Sequence, residues 1–131
     1  MPISYSISHA ARMVVASGEG DISVGELQEG LMAVMRENAV PYAKLIDLTF
    51  APLTIRHAGI RAAAERVKEF NKGRDVGPLA VVLNSELARE LIELFDSLVE
   101  ADRPMRIFDD ADSAKAWLRE LGYPADARAA D

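Results

Sequence analysis

Hydrophobic positions along this chain switch between two spacings. Near the start, Ile3, Tyr5 and Ile7 alternate with Ser4, Ser6 and Ser8, a period of two that predicts an edge strand with one buried and one wet face. Arg12 to Ala16 is the next predicted strand, and the Ser8-His-Ala-Ala link between them is of hairpin size, so this pair is expected to be antiparallel. Gly18-Glu-Gly-Asp breaks the chain. Ser23 with Glu26 three residues on is a capping box that opens a first helix, and Leu27, Leu31, Val34 and Met35 form its apolar stripe.

From Tyr42 onward the periods alternate. Tyr42 to Phe50 is a strand whose run through Leu45, Ile46 and Leu48 is nearly continuous, the pattern of a strand covered by helices on both faces. Thr54 is the expected N-cap of a second helix with an inward face of Ile60, Ala63, Ala64 and Val67, joined by Phe70. Gly59 and Ala63, four apart, leave room for close approach to the sheet, and Asn71-Lys-Gly73 supplies a left-handed stop. Leu79 to Leu83 is the most buried predicted strand. Ser85 caps a third helix in which Leu87, Leu91, Ile92, Phe95, Leu98 and Val99 face inward while Glu86, Glu90, Glu93 and Asp96 face water. Met105 to Phe108 is the last strand. Asp109 to Asp112 place acids at the positive end of a fourth helix, whose inner stripe is Ala114, Trp117, Leu118 and Leu121, with Gly122 as its stop.

Strands alternating with amphipathic helices predict an α/β fold. The expectation is a five-stranded mixed sheet, with an antiparallel first edge strand and parallel strands thereafter, plus four helices. A length of 131 residues fits one core. A single domain over residues 1–122 with a flexible tail over 123–131 is expected, because the tail is Ala, Asp and Arg without periodicity.

Composition narrows the chemistry. With 50% hydrophobic and 27% charged residues the chain has the balance of a globular protein. Cysteine is absent, which removes disulfides, thiolate metal sites and thiol nucleophiles together. No segment reaches the ~20 apolar residues of a membrane span, so a cytoplasmic protein is expected. A net charge of -6 makes nucleic acid an unfavourable partner. The charge is uneven, however: residues 54–75 carry six bases against three acids, or +3, leaving -9 elsewhere.

Three stretches carry a family resemblance: Lys44-Leu-Ile-Asp-Leu-Thr, Gly77-Pro-Leu-Ala-Val-Val and the closing Phe108-Asp-Asp-Ala-Asp-Ser-Ala-Lys-Ala-Trp-Leu. In the order strand, strand, helix and three strand-helix units, the chain resembles the SpoIIAA-like group, related to the STAS domains of anti-sigma-factor antagonists and sharing an outline with lipid-binding CRAL-TRIO domains. The resemblance covers residues 3–121. In signalling members a strand ending in Asp-Leu-Ser precedes an Asp-Ser-Ser-Gly turn whose serine is phosphorylated. Here Asp47-Leu48-Thr49 matches the strand, and aligning the glycine with Gly59 puts Arg56, His57 and Ala58 where the acid and two serines stand. The phospho-acceptor is missing, and Thr54 is the nearby hydroxyl.

Catalytic patterns are sparse. The two histidines, His9 and His57, have no second ligand at helical or hairpin spacing, so neither a metal nor a cofactor is expected. Neither a Gly-x-Ser-x-Gly elbow nor a phosphate-binding glycine loop is present. Asp47 is the best isolated carboxylate, expected to bond backbone N–H groups, and Asp109 and Asp110 read as a turn and a cap. The chain is therefore not expected to be an enzyme. In open sheets ligands sit beyond the carboxyl ends of the parallel strands, a rim that here gathers Gly18, Gly20, Thr49, Thr54, Asn84, Ser85 and Asp109. Arg56 and His57 sit at an anion-favouring helix start.

Two functions remain. The first is a non-catalytic regulatory or protein-interaction module resembling STAS domains, meeting a protein partner or a second copy through Thr49, Thr54, Arg56, His57, Asn84 and Ser85. For a homodimer, the basic second helix and acidic third helix offer complementary surfaces. The second is a carrier or sensor of a small apolar or anionic ligand, as the CRAL-TRIO outline implies, with Met32 and Met35 as adaptable lining.

Overall fold

The computed structural model describes residues 3–51 and 56–125. In chain order the elements are β1 (Ile3–Ser8), β2 (Met13–Glu19), α1 (Val24–Arg36), β3 (Ala43–Phe50), α2 (His57–Asn71), β4 (Leu79–Val82), α3 (Glu86–Val99), β5 (Met105–Phe108) and α4 (Ala111–Glu120). One sheet holds all five strands in the order β1-β2-β3-β4-β5. Only β1 and β2 run antiparallel; each later neighbour is parallel. This is the mixed α/β sheet that the periodicity predicts.

Side-chain alternation in β4 shows how the layers form. Ala80 and Val82 join Met13, Leu45, Trp117 and Leu118 on the face that α4 covers. Leu79 and Val81 join Ile22, Leu48, Leu83 and Ala88 on the other. All four β4 residues are buried, as a central strand requires. A third cluster, Ala64, Val67 and Val99 with Leu31 and Phe95, binds α2 to its neighbours. The predicted inward face of α2 is buried at Ile60, Ala63, Ala64 and Val67.

Several expectations are corrected. β2 does not stop at Ala16: it continues to Glu19 through a register shift between Ser17 and Glu19. Gly18 permits this, because a Cβ there would lie 2.5 Å from Ile22 Cδ1, and Gly20, with φ +70, turns the chain just after the strand. Leu121 is exposed rather than inward, since α4 ends at Glu120 and Gly122 turns the chain at φ +96. Tyr123 and Ala125, expected in the tail, pack against the Trp117 core. The turn after α4 folds back over Ala11 and Leu118; the rest of the expected tail, residues 126–131, lies outside the described residues. Leu87 is also exposed.

Candidate functional site

Because β2 to β5 run parallel, their carboxyl ends share one edge of the sheet, and the helices that follow begin there. Thr49 lies near the end of β3, half-buried, and its backbone N–H donates to Asp47 Oδ1 at 2.9 Å. Asp47 thus bonds the backbone, as expected of an acid at a strand end. Asn84 and Ser85 follow β4 and are exposed. Ser85 is the N-cap of α3, its Oγ accepting from Ala88 N–H at 3.2 Å. Asp109 follows β5 and lies 3.8 Å from Arg89 Nη2 on α3. Asp110 caps α4, and the hydrogen bond from Ser113 N–H holds its carboxyl below the usual range.

The start of α2 departs from expectation. Its N-cap is Arg56, and Arg56 makes no side-chain capping bond. Thr54, expected there, precedes the cap by two residues and lies outside the described residues. A long guanidinium side chain has no acceptor to offer the first-turn N–H groups, so that turn keeps its positive end uncapped by Arg56. Arg56 and His57 are both exposed. The five described members of the set selected from sequence, Thr49, Arg56, His57, Asn84 and Ser85, follow the carboxyl ends of β3 and β4, without a described contact joining Arg56 or His57 to Asn84 or Ser85.

Two residues that sequence reasoning passed over or misplaced stand at this end. Phe50, the last residue of β3, is 73% exposed, and Leu87, in the first turn of α3, is 60% exposed. Leu87 is expected inward because it precedes Leu91 by four. The buried stripe instead runs through Ala88, Leu91 and Val99, with Ile92 and Phe95 beside it, and this leaves Leu87 on the stripe's margin. The available signal was that Ala88, not Leu87, opens the i, i+3, i+4 series.

At the opposite end, Lys44 interrupts the apolar run of β3. Its Nζ donates to the carbonyls of Val40 at 2.6 Å and Tyr42 at 2.8 Å. Burial, followed by the nearby Arg103 guanidinium, brings its pKa down from 10.5 to about 8. The Arg103 side chain is 5% exposed and pairs with Asp96 at 2.7 Å. His9, expected as a turn residue, ties the β1–β2 turn to Tyr42 Oη at 2.7 Å and Glu37 Oε1 at 3.0 Å. A surface groove of about 280 Å³ lies between β1 and α1, lined by Tyr5, Ile7, Ala33, Arg36 and Glu37. Met32 and Met35 are not among those lining residues. The charges of α2 and α3 meet partly within the chain, where Lys68 Nζ lies 3.3 Å from Glu100 of the α3 C-cap.

Among the described residues, no three His, Asp or Glu side chains gather where a metal ion would fit. No described helix is long and apolar enough to cross a membrane.

The chain is similar to an uncharacterised protein of the DUF3478 family from Shewanella loihica PV-4, whose crystal structure has a SpoIIAA-like fold. The TM-score is 0.61 at 16% identity, over 88% of this chain and 93% of that one, a likeness of fold. No curated protein matches the sequence. The sequence pattern of the SpoIIAA-like family matches residues 13–119, spanning β2 through nearly all of α4. With the order of strands and helices and the family pattern in agreement over most of its length, the chain belongs to the SpoIIAA-like family.

Proposed function

We propose that this protein is a non-catalytic, cytoplasmic regulatory module that docks a protein partner at the carboxyl-end rim of its sheet. Thr49, Thr54, Arg56, His57, Asn84 and Ser85 supply the polar contacts, and Phe50 and Leu87 supply the apolar anchors. The observation that carries the reading is the exposure of two large apolar side chains, at 73% and 60%, at the end where polar caps and strand ends converge. An aromatic anchor set among polar groups is the usual make-up of an interaction hot spot. The start of α2, which Arg56 does not cap through its side chain, carries Arg56 and His57 and favours an acidic surface on the partner. No phosphorylatable serine stands at the aligned positions Arg56-His57-Ala58, so regulation through that serine is not part of the reading.

The test is capture from the protein's own cells with wild type, Phe50→Ser and Leu87→Ser as bait, followed by native mass spectrometry and titration of the recovered partner. Losing an anchor costs about 2 kcal/mol, or roughly 30-fold in Kd. A partner that binds all three baits equally would place docking elsewhere. A retained small molecule in place of a protein would favour the carrier reading, for which the groove beside Tyr5 is the starting point.

A further inference from the structure

Among the described residues β1 forms one edge of the sheet, so half of its backbone N–H and C=O groups face outward without a strand partner there. Proteins guard such edges with charge, proline, bulges or short length. The two edges of this sheet differ sharply in that respect. β5 has four residues and carries Arg106. β1 has six residues, none charged and none proline, and pairs with β2 without a register shift. Tyr5 at its centre is 47% exposed.

The strand is also self-complementary. Ile3-Ser4-Tyr5-Ser6-Ile7 reads the same in both directions. Antiparallel pairing about a two-fold axis at Tyr5 sets Tyr5 opposite the partner subunit's Tyr5. It also sets Ile3 opposite the partner subunit's Ile7 and Ser4 opposite the partner subunit's Ser6. Apolar residues then meet on the α1 side and hydroxyls on the other, which is the favourable cross-strand arrangement.

Charge points the same way. α1 lies over β1 with its first half at the Ile3 end, where Leu27 packs in the same cluster as Ile3. Its last turn is at the Ile7 end, where Ala33, Arg36 and Glu37 share a groove with Tyr5 and Ile7. The first half carries the acids Glu26 and Glu29 and the last turn carries Arg36; Glu37 already engages His9 at 3.0 Å. A two-fold axis at Tyr5 runs the two α1 helices in opposite directions, bringing the acidic start of each beside the basic end of the other. The partner subunit's Tyr5 then stands next to Tyr5 at the mouth of the groove.

We propose that the chain forms a two-fold dimer through antiparallel β1 to β1 pairing centred on Tyr5, so that one sheet runs continuously through both subunits. This interface lies on the sheet edge, away from the carboxyl-end rim, and its test uses the purified protein alone. Sedimentation velocity is expected to find a dimer for wild type. Tyr5→Lys opposes two like charges at the axis and is expected to weaken association by at least about 30-fold, with circular dichroism confirming its fold. Arg36→Glu is expected to weaken the dimer, and adding Glu29→Arg in the same chain to restore it. Because the chain lacks cysteine, Tyr5→Cys carries a single thiol. Opposed Cβ atoms on paired strands approach to roughly 5 Å, so this variant is expected to form an intersubunit disulfide under mild oxidation while Glu93→Cys does not. A monomeric wild type overturns the proposal. So does a dimer that ignores Tyr5→Lys and leaves Tyr5→Cys uncrosslinked.

Discussion

Replacing Lys44 with methionine is expected to abolish a pH dependence of stability confined to the interval between about pH 8 and 10.5. In the folded chain the Lys44 ammonium is held down to about 8 by burial first and by Arg103 second. In the unfolded chain it returns to its ordinary value near 10.5. Below pH 8 both states carry the proton, and the penalty of burying the charge is present in full. Between pH 8 and 10.5 the unfolded state still holds a proton that the folded state has released, so stability rises with pH. Above 10.5 neither state is charged and the rise stops. Each tenfold in proton affinity is worth about 1.4 kcal/mol, which sets an upper value of about 3 kcal/mol over the whole interval. The side chain keeps some contact with water, and solvent screening trims the expected rise to about 2 kcal/mol.

The assay is urea unfolding of wild type and Lys44→Met at closely spaced pH values from 7 to 10.5. Subtracting the two curves cancels the other titrating groups. The wild-type-minus-variant difference should climb by about 2 kcal/mol. The offset at pH 7 is not diagnostic, because methionine also removes the bonds to the Val40 and Tyr42 carbonyls. A difference that stays flat from pH 8 to 10.5 would refute the reasoning, since it would mean that Nζ is hydrated as in the unfolded chain.

Two further predictions bear on packing. Gly77→Ala is expected to destabilise by about 3 kcal/mol or more, because the new Cβ would lie 2.1 Å from Tyr42 O and 2.5 Å from Pro41 O, both backbone atoms that cannot rotate away; a thermal midpoint unchanged from wild type would contradict this. Trp117→Ala should cost about 3–5 kcal/mol and Leu87→Ser less than about 0.5 kcal/mol in chemical unfolding, since Trp117 is buried between α4 and the sheet while Leu87 is exposed; equal losses would show that Leu87 faces the core after all.

Local signals in the chain were enough to establish the order and type of the elements. The alternation at Ile3, Tyr5 and Ile7, the Ser23–Glu26 capping box, the Ser85 cap and the uninterrupted run at Leu79 each depend on groups a few residues apart. Such short-range physics is written directly in residue spacing. Gly77 is an instructive intermediate case. Its place before Pro78 is plain in the sequence, yet its necessity comes from the Tyr42 carbonyl, which only the folded chain brings near.

What tertiary structure alone decided was which members of each pattern face solvent. Leu87 and Leu91 are one helical turn apart and look alike in sequence, but α3 meets the sheet through Ala88 and Ile92, so Leu91 is buried while Leu87 is left at the rim with Phe50. The continuation of β2 past Gly18 and the return of Tyr123 and Ala125 to the core likewise depend on contacts with distant residues. Lys44 makes the same point chemically: a lysine amid apolar neighbours is visible in the sequence, whereas its lowered pKa comes first from the layers that enclose it and second from Arg103, 59 positions later. Spacing along a chain encodes periodicity and caps because those interactions are local; exposure and electrostatic environment arise from surfaces that meet only when the layers close.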